Sequence, residues 1–396
     1  MTALSHETAL NLAAHPLMWG AAQLARRAGP LWRVPGLGLI VSDATLARDI
    51  LQRDDEFTKT GPGSFARALT AVLGPIALGN MDGAEHRQLR AAIADVLTPA
   101  RADMLVRCRA AAVQMLQNEL ARGEPVDLVR FVRGWSGRIA FDVVGIAPPV
   151  GREEASSHDI VRLSERMAPV LGFREPSTCR IRYARADAER LAAYFRDGYR
   201  RPAPSPSLVD SLQTLGLTWE QALGVVLIFV IGGTLTITAA LPRIVALLVD
   251  SGLFTRLIDD PTGIARAIDE GLRYTAPLPG TVRIVRRAAI VSGYRLAAGS
   301  RIVILTRNLA RDPQLFPDPD RFDIGRVQNP RARHLWFGAG PHFCPGFSLA
   351  ERELEAVLEA IVTEKRDLRI VKRRVAIGAL LPSYSQLVVR FSDRSA

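Results

Sequence analysis

Residues 337–346 read Phe-Gly-Ala-Gly-Pro-His-Phe-Cys-Pro-Gly, and this run constrains the fold more than any other. Gly338, Gly340 and Gly346 let the backbone bend sharply and approach a bulky, flat ligand closely. Cys344 falls in a turn rich in Gly and Pro, just before a helix that opens around Phe347 and runs through Ala350, Glu351 and Leu354. Backbone N–H groups at that helix start are placed to hydrogen-bond a thiolate and tune it. A lone cysteine usually serves as a small buried hydrophobe. What separates Cys344 from that case is the whole ten-residue pattern around it.

The remaining chain points to one large domain, residues 1–396, that is mainly helical. No Ser/Gly linker, charge block or repeat divides it, and Pro202–Pro206 reads as a short loop between helices. The hydrophobic share is 48%, enough for a large core, and Ala, Leu and Arg favour helix over most of the length. Cys108, Cys179 and Cys344 form no disulfide framework, and the N-terminus has no signal pattern, which implies a reducing, cytoplasmic setting. Ala222–Leu241 carries no charge and is long enough to span a bilayer. It is interrupted by Gly224, Gly232, Gly233 and threonines and runs into Pro242, so it reads as a central buried helix kinked about one turn before that proline. The net charge of +11 suits nucleic acid, a membrane surface or an acidic protein. Nothing resembles a nucleic-acid module and the arginines are scattered, so most read as a solvated basic surface, with docking of an acidic protein as the functional reading; no nucleic-acid or membrane partner is expected.

The segment around Cys344 has the form FxxGxxxCxG and resembles the haem-ligand loop of the cytochromes P-450. The resemblance extends from about Leu31 to Phe391. It implies that Cys344 ligates the iron of haem b (iron protoporphyrin IX), with Phe337, Gly338 and Gly346 shaping the loop; an axial thiolate pushes electron density toward the iron. His86 and Arg90 stand four apart, on one helical face, and resemble the family's HxxxR propionate contact. His342 resembles a third contact, and Arg283 a fourth, with Arg286 and Arg287 as near neighbours. Glu270 and Arg273 form an ExxR, and Arg321, in Pro319–Phe322, would complete a buried Glu–Arg–Arg cluster of structural rather than catalytic role. The implied fold is mainly α with a small β-rich lobe built from Leu31–Val41, Thr281–Ile304 and Ile377–Phe391.

One position departs from the family. The central helix opens at a Thr218–Gln221 capping box. Gly232 and Gly233 match the small pair expected beside iron, and Thr236 the alcohol, but Leu235 stands where an acid is expected. No Asp or Glu occurs between Glu220 and Asp250. Proton delivery by an acid–alcohol pair therefore lacks its acid. The implied activity is a monooxygenase acting on a small organic molecule, plausible in secondary metabolism, with dioxygen and electrons from a ferredoxin or flavodoxin. The alternative is a non-hydroxylating haem reaction: peroxide-driven oxidation, ring closure, coupling or rearrangement.

Substrate contacts are expected at Phe65, Leu69, Leu73, Ile76, Phe229, Leu278, Thr281 and Leu381. The electron donor is expected on a basic patch drawn from Arg101, Arg107, Arg109, Arg331, Arg333 and Arg352. Arg174, Arg180, Arg182 and Arg185 read first as a solvated helix face, with an anionic or carrier-bound substrate as the alternative. The protein is read as a monomer.

Overall fold

A computed structural model describes residues 3–392 apart from 62, 65, 173–175, 328 and 331. Phe65, Arg174 and Arg331 thus lie outside the described residues. The central helix, Trp219–Asp250, starts where the Thr218 N–H donates to Gln221 Oε1 at 2.9 Å. Its most apolar window has mean hydropathy 2.3 and is 67% buried. Helices Leu128–Val144, Glu153–Met167, Ile264–Thr275 and Phe347–Thr363 pack around it, which is why it is apolar on every side. At Gly224 a Cβ would sit 2.2 Å from the Ile76 carbonyl oxygen, so only glycine admits the crossing segment. The helix is unbroken through Pro242. Pro242 withholds one N–H from the ladder, but Thr238 through Ala246 are buried by neighbouring elements, and that packing carries the helix past it.

The β-rich part is a five-stranded sheet ordered Leu31–Val34, Gly38–Val41, Arg301–Ile304, Thr281–Val285, Phe57–Thr58. Gly38–Val41 runs parallel to Arg301–Ile304, and the other pairs are antiparallel. A second sheet joins Val126–Asp127, Tyr384–Ser392 and Asp367–Val375. The C-terminal strand therefore starts at Tyr384, later than Ile377. Its partner Asp367–Val375, five of whose nine residues are Arg, Lys or Asp, has a polarity that hid it from the hydrophobic pattern.

The buried Glu–Arg–Arg cluster differs from expectation in its third member. Glu270 receives Arg273 through two bonds of 2.7 and 2.8 Å, and both side chains are essentially inaccessible. The third guanidinium is that of Arg326, with Nε 3.2 Å from Glu270 Oε2. Arg321 is exposed and contributes only its carbonyl, which accepts from Arg273 at 3.2 Å and Arg326 at 3.0 Å. The wrap of residues 317–326 turns the Arg321 side chain outward and brings the one five residues later inward. Arg273 also donates to the Ala310 and Pro319 carbonyls at 2.6 and 3.0 Å, so its donors tie this segment to the helix that carries it.

Removing one partner of such a cluster strands a buried charge, which costs about 3–5 kcal/mol. Arg326→Met is therefore expected to lower the denaturation midpoint sharply and Arg321→Ala to leave it nearly unchanged, as read by urea unfolding of both variants.

Candidate functional site

The cysteine loop is built from two short turns, Leu335–Phe337 and Gly340–His342, followed by helix Phe347–Thr363. Gly340 has φ 64°, and a Cβ there would lie 2.6 Å from the Leu51 carbonyl oxygen, so the loop is pressed against the end of helix Ala44–Gln52. The Cys344 N–H donates to the Phe337 carbonyl at 3.0 Å. The Phe337 and Phe343 rings meet Phe347 at 5.1 and 5.5 Å between centroids. Surrounding protein pushes the Cys344 thiol up, while the Gly346 N–H, Arg90 and Lys59 pull it back. The residue nevertheless keeps accessible surface. It is therefore not sealed in packed core.

Helix Gly83–Ala92 carries His86 and Arg90 to the same region. The His86 and His342 rings lie 4.1 Å apart, and His342 Nε2 is 2.9 Å from Asp82 Oδ1. Asp82 also accepts from the Thr58 hydroxyl and from the N–H groups of Lys59 and Thr60, both at 3.1 Å. Burial alone would raise the Asp82 carboxyl, but the His342 and Thr58 bonds outweigh it and hold it well below its ordinary value. Burial lowers His342 to about 3 and His86 to about 4, so both rings are neutral near pH 7. Arg283 lies in strand Thr281–Val285, its Nη1 donating to Thr281 Oγ1 at 3.2 Å and to the Val282 carbonyl at 3.0 Å. Burial lowers it to about 10.

Lys59 is the member the sequence did not point to. Burial and then Arg283 push its amine down to about 7, with Asp82 and Cys344 opposing. Neither its side chain nor that of Arg90 has an ion-pair partner among the described residues, and both ring nitrogens of His86 are buried without one. Lys59, Arg90, Arg283 and two imidazoles thus surround a place where Asp82, already fully hydrogen-bonded, is the local acid. Arg283 is buried and Lys59 and Arg90 partly so, and cations withdrawn from water without a counter-charge are costly. This surplus fits the two carboxylates of a haem, beside a cysteine that keeps accessible surface, so the residues present suit the group.

On the central helix Gly232 and Gly233 are exposed, although most of their neighbours are buried, and nothing lies within 4 Å of a Cβ built on either. Thr236 donates to the Gly232 carbonyl at 2.8 Å. Leu235 is buried and lines a cavity of about 160 Å³ with Thr238, Leu381, Tyr384, Arg133 and Glu165. Arg133 holds Glu165 through bonds of 3.0 and 3.2 Å. A carboxylate therefore reaches the Leu235 cavity from helix Glu153–Met167, a placement that no spacing along the central helix encodes.

The expected substrate residues scatter. Leu69 and Leu73 are buried in the core, Ile76 and Phe229 pack against it, Leu278 is exposed, and Thr281 is engaged by Arg283. The expected basic docking patch is largely neutralised. Arg109 pairs with Asp142, Arg333 with Asp269 at 3.1 Å, Arg352 with Asp103 at 2.9 Å, and Arg107 with Asp103 at 3.9 Å. Arg101 alone of the described five has no carboxylate partner. Arg180 and Arg182 are exposed, and Arg185 ties its helix to Ala71 through a backbone carbonyl.

A family model described as cytochrome P450 matches residues 264–364. Biflaviolin synthase from Streptomyces coelicolor is 30% identical over 309 residues, 75% of this chain and 71% of that one. Mycinamicin IV hydroxylase/epoxidase from Micromonospora griseorubida is 29% identical over 303 residues, 74% and 72% of the two chains. Among solved structures, P450BioI in complex with a fatty-acid-ligated acyl carrier protein has the same fold, with TM-score 0.82 and 21% identity, covering 95% of this chain and 98% of that one.

Cys344→Ala is expected to abolish the thiolate-specific shift of the haem absorption band in the reduced carbon monoxide adduct, with Cys108→Ala and Cys179→Ala unaffected. Lys59→Met and Arg90→Leu should each speed haem loss to an acceptor globin, since a charge-assisted hydrogen bond contributes roughly 1.5–3 kcal/mol. Unchanged haem transfer in both variants would remove them from the site.

Proposed function

We propose a specific task for this chain, which belongs to the cytochrome P450 family: a cytoplasmic monooxygenase that acts on a small organic molecule of secondary metabolism. The observation that carries the reading is the cluster of Lys59, Arg90 and Arg283, none with a carboxylate ion-pair partner among the described residues, beside the partly accessible Cys344. Haem b held there, with Cys344 on iron, supplies dioxygen activation and electron acceptance. Gly232 and Gly233 leave room beside the helix for substrate, and Phe337, Gly338 and Gly346 hold the loop that presents the sulfur. The names of two relatives, a hydroxylase/epoxidase and a synthase, support a biosynthetic substrate.

Proton handling is where this chain has its own arrangement. Leu235 has no exchangeable proton. Glu165, fixed by Arg133 at the wall of the same cavity, is the carboxylate available to it, and about 160 Å³ accommodates several waters between them. Thr236 positions the last donor on the helix. A second reading rests on Leu235 itself: with no acid on the helix, the native reaction is a coupling, ring closure or peroxide-driven oxidation that needs no proton relay. Electrons come from an acidic ferredoxin or flavodoxin, for which Arg101 is the unpaired anchor on the expected face.

Two measurements separate these readings. Under the monooxygenase reading, Glu165→Gln raises the reductant consumed per product and Leu235→Glu lowers it. Under the second, both leave the native product rate flat, and product mass shows no added oxygen. Turnover at limiting donor should also fall as salt rises, because screening shortens the reach of surface charge to about 10 Å near ~0.1 M ionic strength. A rate indifferent to salt would remove the charged donor.

A further inference from the structure

Away from the cysteine loop, three buried arginines gather at the C-terminal end of helix Ile264–Thr275. Arg243, next to Pro242 on the central helix, holds Glu7 of the N-terminal helix Ala3–Ala14 at 3.0 and 2.6 Å and donates to the Thr275 carbonyl at 2.8 Å. Arg311 donates to the preceding carbonyl, that of Tyr274, at 2.7 Å, with its guanidinium 4.7 Å from the Tyr274 ring. Arg307, about one turn before Arg311, lies 4.2 Å over the Trp19 ring. Exposures are 0% for Arg243, 4% for Arg307 and 1% for Arg311. Even so, Nη1 of all three and Oγ1 of Thr275 are buried without a hydrogen-bond partner.

The local charges do not balance. Glu7 is taken by Arg243, and Asp320 is shared between Arg26 at 3.0 Å and Arg311 Nε at 3.2 Å. Glu270, next door, is taken by Arg273 and Arg326. Four guanidiniums thus face two carboxylates, Glu7 and Asp320. A guanidinium does not shed its proton in a protein, and a buried cation needs a counter-charge. The Trp19 ring gives Arg307 partial compensation. Burial and then Arg311 drive the Arg307 pKa well down, Arg243 adds to this, and Glu7 opposes it. The three orphaned Nη1 groups are donors on permanent cations and the Thr275 hydroxyl can turn its proton toward the same point, so an anion supplies both the acceptor and the counter-charge that a water lacks.

We propose that Arg243, Arg307, Arg311 and Thr275 form a binding site for a small inorganic anion of the halide class, and that the bound anion clamps the N-terminal helix onto the central helix. The site is independent of the iron chemistry, so the two assignments fail separately. The test uses the full-length, haem-loaded protein, with thermal unfolding in sodium chloride against sodium gluconate at equal ionic strength. Wild type should show a midpoint that climbs with chloride and levels off as a single site fills. Arg307→Leu should show no difference between the salts. In bromide-soaked wild-type crystals an anomalous peak should lie within hydrogen-bond reach of Arg307 Nη1. Superimposed chloride and gluconate curves in wild type, a chloride effect that survives in Arg307→Leu, or an empty anomalous map would each overturn the proposal. Should the variant fold poorly, the bromide map decides alone.

Discussion

The Glu270 carboxylate is the fixed point of the cysteine-bearing half of the molecule. It accepts from Arg273, from Arg326 and from the Asp323 N–H at 2.9 Å, and the donors left over on those guanidiniums reach five carbonyls between Ala310 and Arg321. A segment with almost no regular structure is thereby tied to helix Ile264–Thr275. The loop that carries Cys344 opens at Leu335, later in the chain. The placement of the sulfur thus draws on contacts outside the loop, this charge cluster before it and the close approach of Gly340 to Leu51, as well as on the rings within it.

Two surpluses of buried positive charge are present, and they differ in kind. Beside Cys344 the surplus consists of Lys59, Arg90 and Arg283 with two neutral imidazoles, and burial pushes Lys59 toward its neutral form. With its amine lowered to about 7, Lys59 can stand there as a neutral group. At the end of helix Ile264–Thr275 the surplus consists of arginines, which have no such escape.

How far the sequence could be read follows the same division between local and non-local causes. The loop around Cys344, the His86/Arg90 face, Arg283 and the central helix rest on short spacings, and the structure brings Cys344, His86, Arg90, Arg283 and His342 into one region. Arg321 was misread because Pro319–Phe322 fixes the position of a turn but not which side chain that turn buries. Only the wrap of the whole segment selects Arg326. Lys59 carries no local signal, since its place depends on the pairing of Phe57–Thr58 with Val285 and Ile284. The polarity of Asp367–Val375 hid a strand whose pairing, not its pattern, makes it one. The basic patch illustrates the same division. Net charge counts residues, whereas their pairing is non-local: Asp103, Asp142 and Asp269 pair with Arg352, Arg109 and Arg333.

Leu235 belongs to this same economy of charge. The central helix is buried on nearly every side, and Arg243, its buried charge, needs Glu7 from a distant helix to be tolerated. A carboxylate at position 235 would require a cation of its own in a wall formed by Thr238, Leu380 and Leu381. The nearest is Arg133, and Arg133 is already held in a two-bond pair by Glu165. Leu235 keeps the central helix apolar where it packs, and the Arg133–Glu165 pair stays intact at the wall of the same cavity. The helix therefore avoids a buried charge that would compete with Glu165 for Arg133.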